Sequence, residues 1–171
     1  MDKTLCALLI LLASGAATAD PAPFGLELGI ITQGQAGIRY PLRPVGINAL
    51  TLGEQFDLDG RLLPVAGLKQ VRLIFGQDRL LLAVVAHGVR ERYDALYRSL
   101  TCKYRAAEPS GSVGGERHAR FIDGNCEITL VVPPGGDDLE LSYIHRRLWE
   151  EIAARQERAV VEWRSREAPQ L

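Results

Sequence analysis

From Gly67 to Phe75 the chain alternates, with Val71, Leu73 and Phe75 on one side and Gln70 and Arg72 on the other, which predicts a half-buried strand. Gly76-Gln77-Asp78 turns the chain back into Leu80 to His87, a run apolar on both sides and so expected to lie centrally in a sheet, covered on part of each face. A second hairpin reads from Ala119 to Ile122, the turn Asp123-Gly124, and Cys126 to Val132, where Cys126, Ile128, Leu130 and Val132 share a face. Val45 to Asp57 has strand character broken by Gly46 and Gly53, and Asp59-Gly60 reads as a turn. Leu139 to Tyr143 predicts one further short strand after the break Pro133-Pro134-Gly135-Gly136.

The period changes to helical in three places. Gln33 to Tyr40 forms a weak helix, capped by Thr32, penalised by Gly34 and Gly37, and stopped by Pro41 and Pro44. Val89 to Arg105 repeats apolar residues every three or four positions, at Val89, Tyr93, Leu96, Tyr97, Leu100 and Tyr104. A long C-terminal helix is expected from Ile144 to Glu167, with the stripe Ile144, Leu148, Ile152, Ala159 and Trp163 and many opposite charges one turn apart. Glu108 to Gly115, rich in Gly and Ser, reads as a loop. Strands in hairpin runs separated by helices predict an α+β fold, an antiparallel sheet with helices packed on one face.

The N-terminus carries a different pattern: Lys3, the apolar run Leu5 to Leu12, then small residues to Ala17-Thr18-Ala19. That order predicts a secretory signal peptide over residues 1–19, with Asp20 first in the mature chain. The apolar run is far shorter than the roughly 20 residues of a membrane span, and no cysteine stands at the cleavage point, so an exported product without a membrane anchor is expected. Residues 20–152 then form one domain, with 153–171 a helical extension.

A formal net charge of -1 over 171 residues supplies no concentrated positive field, so no nucleic-acid partner is expected. Cys6 leaves with the signal, and the remaining pair, Cys102 and Cys126, is expected to form a disulfide in an oxidising compartment. Closing that loop would contribute about 3 to 4 kcal/mol.

Candidate chemistry is sparse. His87, His118 and His145 fall on separate elements without ligand spacing, so no metal is expected; His87 reads as a strand-end residue, His118 and His145 as surface groups. Ser110 and Ser112 lie in glycine-rich sequence matching neither a nucleophile elbow nor a phosphate loop. The carboxylate pairs Asp57 with Asp59, Asp137 with Asp138 and Glu150 with Glu151 sit in polar turns or on a solvated helix, not across a cleft. No catalytic residue and no cofactor are expected. Past Ile152 the last helix still carries Val160, Val161 and Trp163, apolar surface a monomer usually avoids. Trp149, Val160, Trp163 and Arg164 are therefore the expected partner contacts, since Trp and Arg carry interface energy disproportionately. Self-association through this helix is the other use of that surface.

The segment Pro23-Phe24-Gly25-Leu26-Glu27-Leu28-Gly29, with Tyr40-Pro41-Leu42, Gly46-Ile47-Asn48, Gly67-Leu68-Lys69 and Arg92-Tyr93-Asp94-Ala95-Leu96-Tyr97, resembles a group of small exported proteins of Gram-negative bacteria with no assigned activity. The cysteine pair and the Arg/Glu-rich helix after Glu150 depart from that group. More remotely, the order of elements is similar to β-lactamase-inhibitor-like and outer-membrane-assembly lipoprotein folds, whose members bind other proteins through an open sheet face. With no site chemistry visible, and a stapled small sheet with an exposed helix suited to recognition, the expected function is a periplasmic, non-enzymatic protein-binding module, an inhibitor, immunity factor or envelope-assembly accessory, whose partner is another envelope or exported protein. The alternative is a carrier with an apolar pocket between sheet and helices.

Overall fold

The computed structural model describes residues 20–107, 111–113 and 116–167, with side chains described as far as Arg158. Residues 1–19, the expected signal peptide, lie outside the described residues. Nine strands form one antiparallel sheet: β1 (Arg43–Ile47), β2 (Glu54–Asp59), β3 (Leu68–Phe75), β4 (Leu81–Val89), β5 (Arg105–Ala106), β6 (Gly111–Val113), β7 (Glu116–Asp123), β8 (Cys126–Val132) and β9 (Asp138–His145). Their spatial order is β1-β2-β3-β4-β9-β8-β7-β5, and β6 extends the β5 edge alongside β7. The helices are α1 (Gln33–Arg39), α2 (Tyr93–Lys103) and α3 (Arg146–Glu167). The α+β class and the antiparallel sheet are as expected.

Register aligns the alternating positions into rows. On the inner face, Phe56, Leu73, Val84, Tyr143, Ile128 and Phe121 pair successively across six strands, and Leu58, Val71, Ala86, Leu141, Leu130 and Ala119 form the next row. All twelve are buried. Against them pack Tyr93, Leu96 and Leu100 of α2, Tyr104 just beyond it, and Ala36 of α1. The Thr32 cap is as expected: its hydroxyl accepts from the Gln35 amide while Gln35 Oε1 accepts from the Thr32 amide, a complete capping box.

The expectation that all helices share one face is not met. Leu148 of α3 packs with Leu82 and Ala83, and half-buried Ile74, Ile144 and Ile152 close over them in a second, separate cluster. Ile74 pairs with Ala83 and Ala83 with Ile144, so these residues tile the outer face, whose alternation is opposite to that of Leu73 and Tyr143. That apolar tile at the end of β9 needs cover, and the chain supplies it immediately: β9 runs directly into α3, with the Arg146 amide donating to the Asn125 carbonyl. The central strand β4 is thus apolar on both faces because a helix lies over part of each.

Beyond the tile the outer face is polar. Asp57, Arg72, Val85, Ser142, Thr129 and Arg120 form one row, of which only Ser142 is fully buried. Arg72 Nε meets Asp57 at 2.9 Å, Arg120 meets Glu127 at 2.8 Å, and the Thr129 and Ser142 hydroxyls lie 2.6 Å apart. A row of internally neutralised charge can face water without cost, which is why no element has to cover it.

Three boundaries differ from the sequence reading. Ile144 lies within β9, which runs on to His145, instead of starting α3. Val89 ends β4, and a single 3₁₀ turn, Arg90–Arg92, precedes α2. Within the expected loop, Gly111–Val113 pairs with β7 as β6; residues 108–110 and 114–115 lie outside the described residues.

Candidate functional site

Helix α2 has two adjacent stripes. Leu96, Leu100 and Tyr104, four apart, are buried against the sheet. Beside them run Arg92, Ala95, Ser99 and Lys103, of which the middle two are small. Small side chains next to a packed stripe leave the helix standing off its neighbours, and here a cleft of about 570 Å³ opens along it. One wall is Ala22, Pro23 and Phe24 of the entry segment; the other is Pro64, Val65 and Ala66, from the connection between β2 and β3. Leu141 and Tyr143 of β9 form its floor. The entry wall is fastened from behind: the Tyr40 hydroxyl donates to the Phe24 carbonyl at 2.8 Å, and the Arg39 guanidinium donates to the Gly25 carbonyl.

The charged groups of this cleft are of one sign. Arg92 stands at one end, Lys103 at the other, and no carboxylate among the described residues lines the space between. Asp94, in the first turn of α2, is drawn away to Arg117, whose guanidinium also sits 4.0 Å over the Tyr93 ring. Lys103 Nζ lies 5.0 Å from the centre of the Tyr104 ring, which meets the Tyr143 ring edge-on at 6.3 Å. Burial, and the neighbouring Tyr104, push the Tyr143 phenol well above its usual range, so it remains a neutral donor. Arg92 Nε is buried and has no hydrogen-bond partner. The stem of Arg92 lies where a Gly67 side chain would be: a Cβ there would come within 2.6 Å of Arg92 Cγ, and Gly67 has φ +87°. Glycine at this position therefore seats the guanidinium.

The expected disulfide is absent: Cys102 and Cys126 are both free. Leu100 points into the core, so Cys102, two residues later and about 200° round the helix, faces solvent. Cys126 is buried at the start of β8, opposite His145, and burial, with the charges of Asp20 and Asp123 adding to it, pushes its thiol up to about 12. Among the expected partner contacts, Trp149 is 50% exposed beside Ile122 and Ile144 on the outer face. The side chains of Val160, Trp163 and Arg164 lie outside the described residues.

His145 is not the surface group that was expected. It is 6% exposed, its Nε2 is 3.2 Å from Asp20 Oδ2, and its Nδ1 accepts from the Arg147 amide at 3.2 Å. Burial works against the charge of Asp20, but donation from the Asn125 amide and side chain, with His145 alongside, holds its carboxyl below the usual range. Gly29, at φ +74°, lies against the same imidazole, where a Cβ would stand 2.7 Å from Nε2. His87 and His118 share an outer-face row three strands apart, with Glu140 and Val131 between them. No cluster of three His, Cys, Asp or Glu suited to a metal occurs among the described residues. Five of the six paired carboxylates meet cations: Asp57 meets Arg72, Asp59 Arg61, Asp138 Lys69, Glu150 Arg146 and Glu151 Arg147. Arg61 holds the Asp59 carboxyl down at about 2.

Sequence reasoning expected an apolar pocket only as the alternative and named none of its residues, although the small residues Ala95 and Ser99, set between the cations Arg92 and Lys103 at spacings of three and four, were a signal of it. No protein-family model, curated protein or solved structure matches the chain.

Proposed function

We propose that this chain is a non-enzymatic binding protein of the exported space whose ligand is a small molecule with an apolar body, held along α2. The observation that carries this reading is the cleft itself, of a volume suited to small-molecule sites, largely apolar, with a few convergent polar groups. Of the two functions expected from sequence, it favours the carrier over the protein-binding module. The pairings of the carboxylate groups with cations support a binding protein over an enzyme, because no two of these acids face each other across the cleft.

A protein partner is the second reading, favoured by one observation. Trp149 exposes half its surface next to Ile122, also exposed, on a face that carries no cover beyond α3 among the described residues. A long C-terminal helix bearing Val160, Trp163 and Arg164 would extend that surface, and this finer feature of the fold belongs to the same reading. Periplasmic export with cleavage after Ala19 rests on the order of Lys3, the apolar run Leu5 to Leu12 and the small residues up to Ala19.

Fluorescence of the uncharged dye phenylnaphthylamine tests the cleft. The dye is expected to bind the wild-type protein saturably, and Ala95→Phe or Ser99→Phe, each pushing a ring into the space, should weaken it at least about tenfold. Thermal midpoints should stay near wild type, because both positions are partly exposed. Trp149→Ala should leave dye binding unchanged. Loss of binding in Trp149→Ala, with retention in both ring-bearing variants, would transfer the site to α3.

A further inference from the structure

The polarity of the cleft identifies the class of ligand, an inference that rests on the cleft being the binding site. We infer that the ligand is an anionic amphiphile, a single apolar body ending in one acid group, and that Arg92 receives the acid. A neutral apolar ligand would need neither cation. A cationic one would meet two like charges and no carboxylate.

Between the ends, Arg92 and Lys103, the geometry favours Arg92. Its Nε is shut away from water without a hydrogen-bond partner, so the group is a pre-seated planar cation whose outer N–H groups a carboxylate or phosphate would meet in a charge-assisted pair. Among the described residues no carboxylate forms an ion pair with Arg92. Its stem is already fixed over Gly67, so little side-chain freedom is lost on binding. Lys103, by contrast, is exposed and rests on the Tyr104 ring. From Arg92 to Tyr104 the helix rises about 18 Å, a distance an extended alkyl chain can follow over Ala95, Leu96 and Leu100. The tail end would then reach Phe24 and the edge of Tyr143.

Dodecanoate and dodecanol, which share one chain and differ in the acid, provide the test by displacing phenylnaphthylamine from the full mature protein. Dodecanoate is expected to displace the dye at a concentration at least about tenfold lower than dodecanol, and Arg92→Gln should bring the two within about twofold by weakening dodecanoate alone. Arg92→Lys should restore part of the difference, and Lys103→Gln should remove less of it than Arg92→Gln. Equal displacement by acid and alcohol in the wild type overturns the anionic class while leaving the cleft as a site. A difference that survives Arg92→Gln but disappears in Lys103→Gln overturns the assignment to Arg92. If the dye binds but neither compound displaces it, or if the dye does not bind at all, the reading of the cleft fails first.

Discussion

Gly53→Ala is expected to cost about 3 kcal/mol or more in stability, read as a fall in the urea midpoint at unchanged slope. A Cβ at this position would lie far inside van der Waals contact with the Phe75 carbonyl oxygen and 2.6 Å from that of Gly76. Both obstacles are backbone, so no side-chain rotation relieves them. The neighbourhood is also tightly tied. The Thr51 hydroxyl donates to the Phe75 carbonyl at 2.9 Å and accepts from the Gly53 amide at 3.1 Å, and the Asn48 amide donates to the Gly53 carbonyl at 2.8 Å. Making room would pull the β1–β2 hairpin away from the end of β3. A loss below about 1 kcal/mol would show that this corner yields, and that the close approach is incidental.

Leu28→Ala should cost about 2 to 5 kcal/mol, the usual range for emptying a fully enclosed leucine site. Leu26 and Leu28 are both 0% exposed, and Ile31 is 5% exposed. The segment that carries them is also stitched to the start of β4: the Gly29 amide donates to the Leu81 carbonyl at 2.7 Å, and the Leu81 amide to the Ile31 carbonyl at 3.0 Å. Because residues 22–24 of the same segment form one wall of the cleft, Leu28→Ala should also weaken dye binding in the population that remains folded. Thermal unfolding followed alongside dye fluorescence separates the two effects. A variant as stable as wild type would make the entry segment an appendage.

Alternation was the most readable signal in the chain. β3 and β8 bury every second residue because each has one face on the core, and the side-chain period of a strand transmits that fact directly into sequence. The Thr32 cap was legible for a similar reason, since the capping residue, the first turn and the stop at Pro41 are contiguous. The side of the sheet taken by α3 was not legible. A stripe of Leu148 and Ile152 says that the helix needs cover, but the choice of face is made by Ile74, Ala83 and Ile144, aligned only through register. The burial of the entry segment was not legible either: Leu26 and Leu28 stand two apart, but their enclosure comes with the hydrogen-bonded seat of the segment beside the start of β4. His145 read as a surface group because its partner, Asp20, lies 125 residues away in sequence. Counting cysteines suggested a bridge, while in the structure both are free, Cys102 facing solvent and Cys126 buried. The cleft was the least legible feature: it is bounded by residues 22–24, 64–66, 92–104 and 141–143, and space between distant segments leaves no local pattern.

The most direct test of a ligand site along α2 is a map of backbone amide shifts as dodecanoate is titrated into isotopically labelled protein. The largest, saturable changes are expected at Arg92 to Tyr104, at Phe24, at Val65 and Ala66, and at Leu141 and Tyr143, with Trp149 and Ile122 unmoved. Saturable changes centred on Trp149 and Ile122, with α2 silent, would contradict the account and place recognition on the outer face.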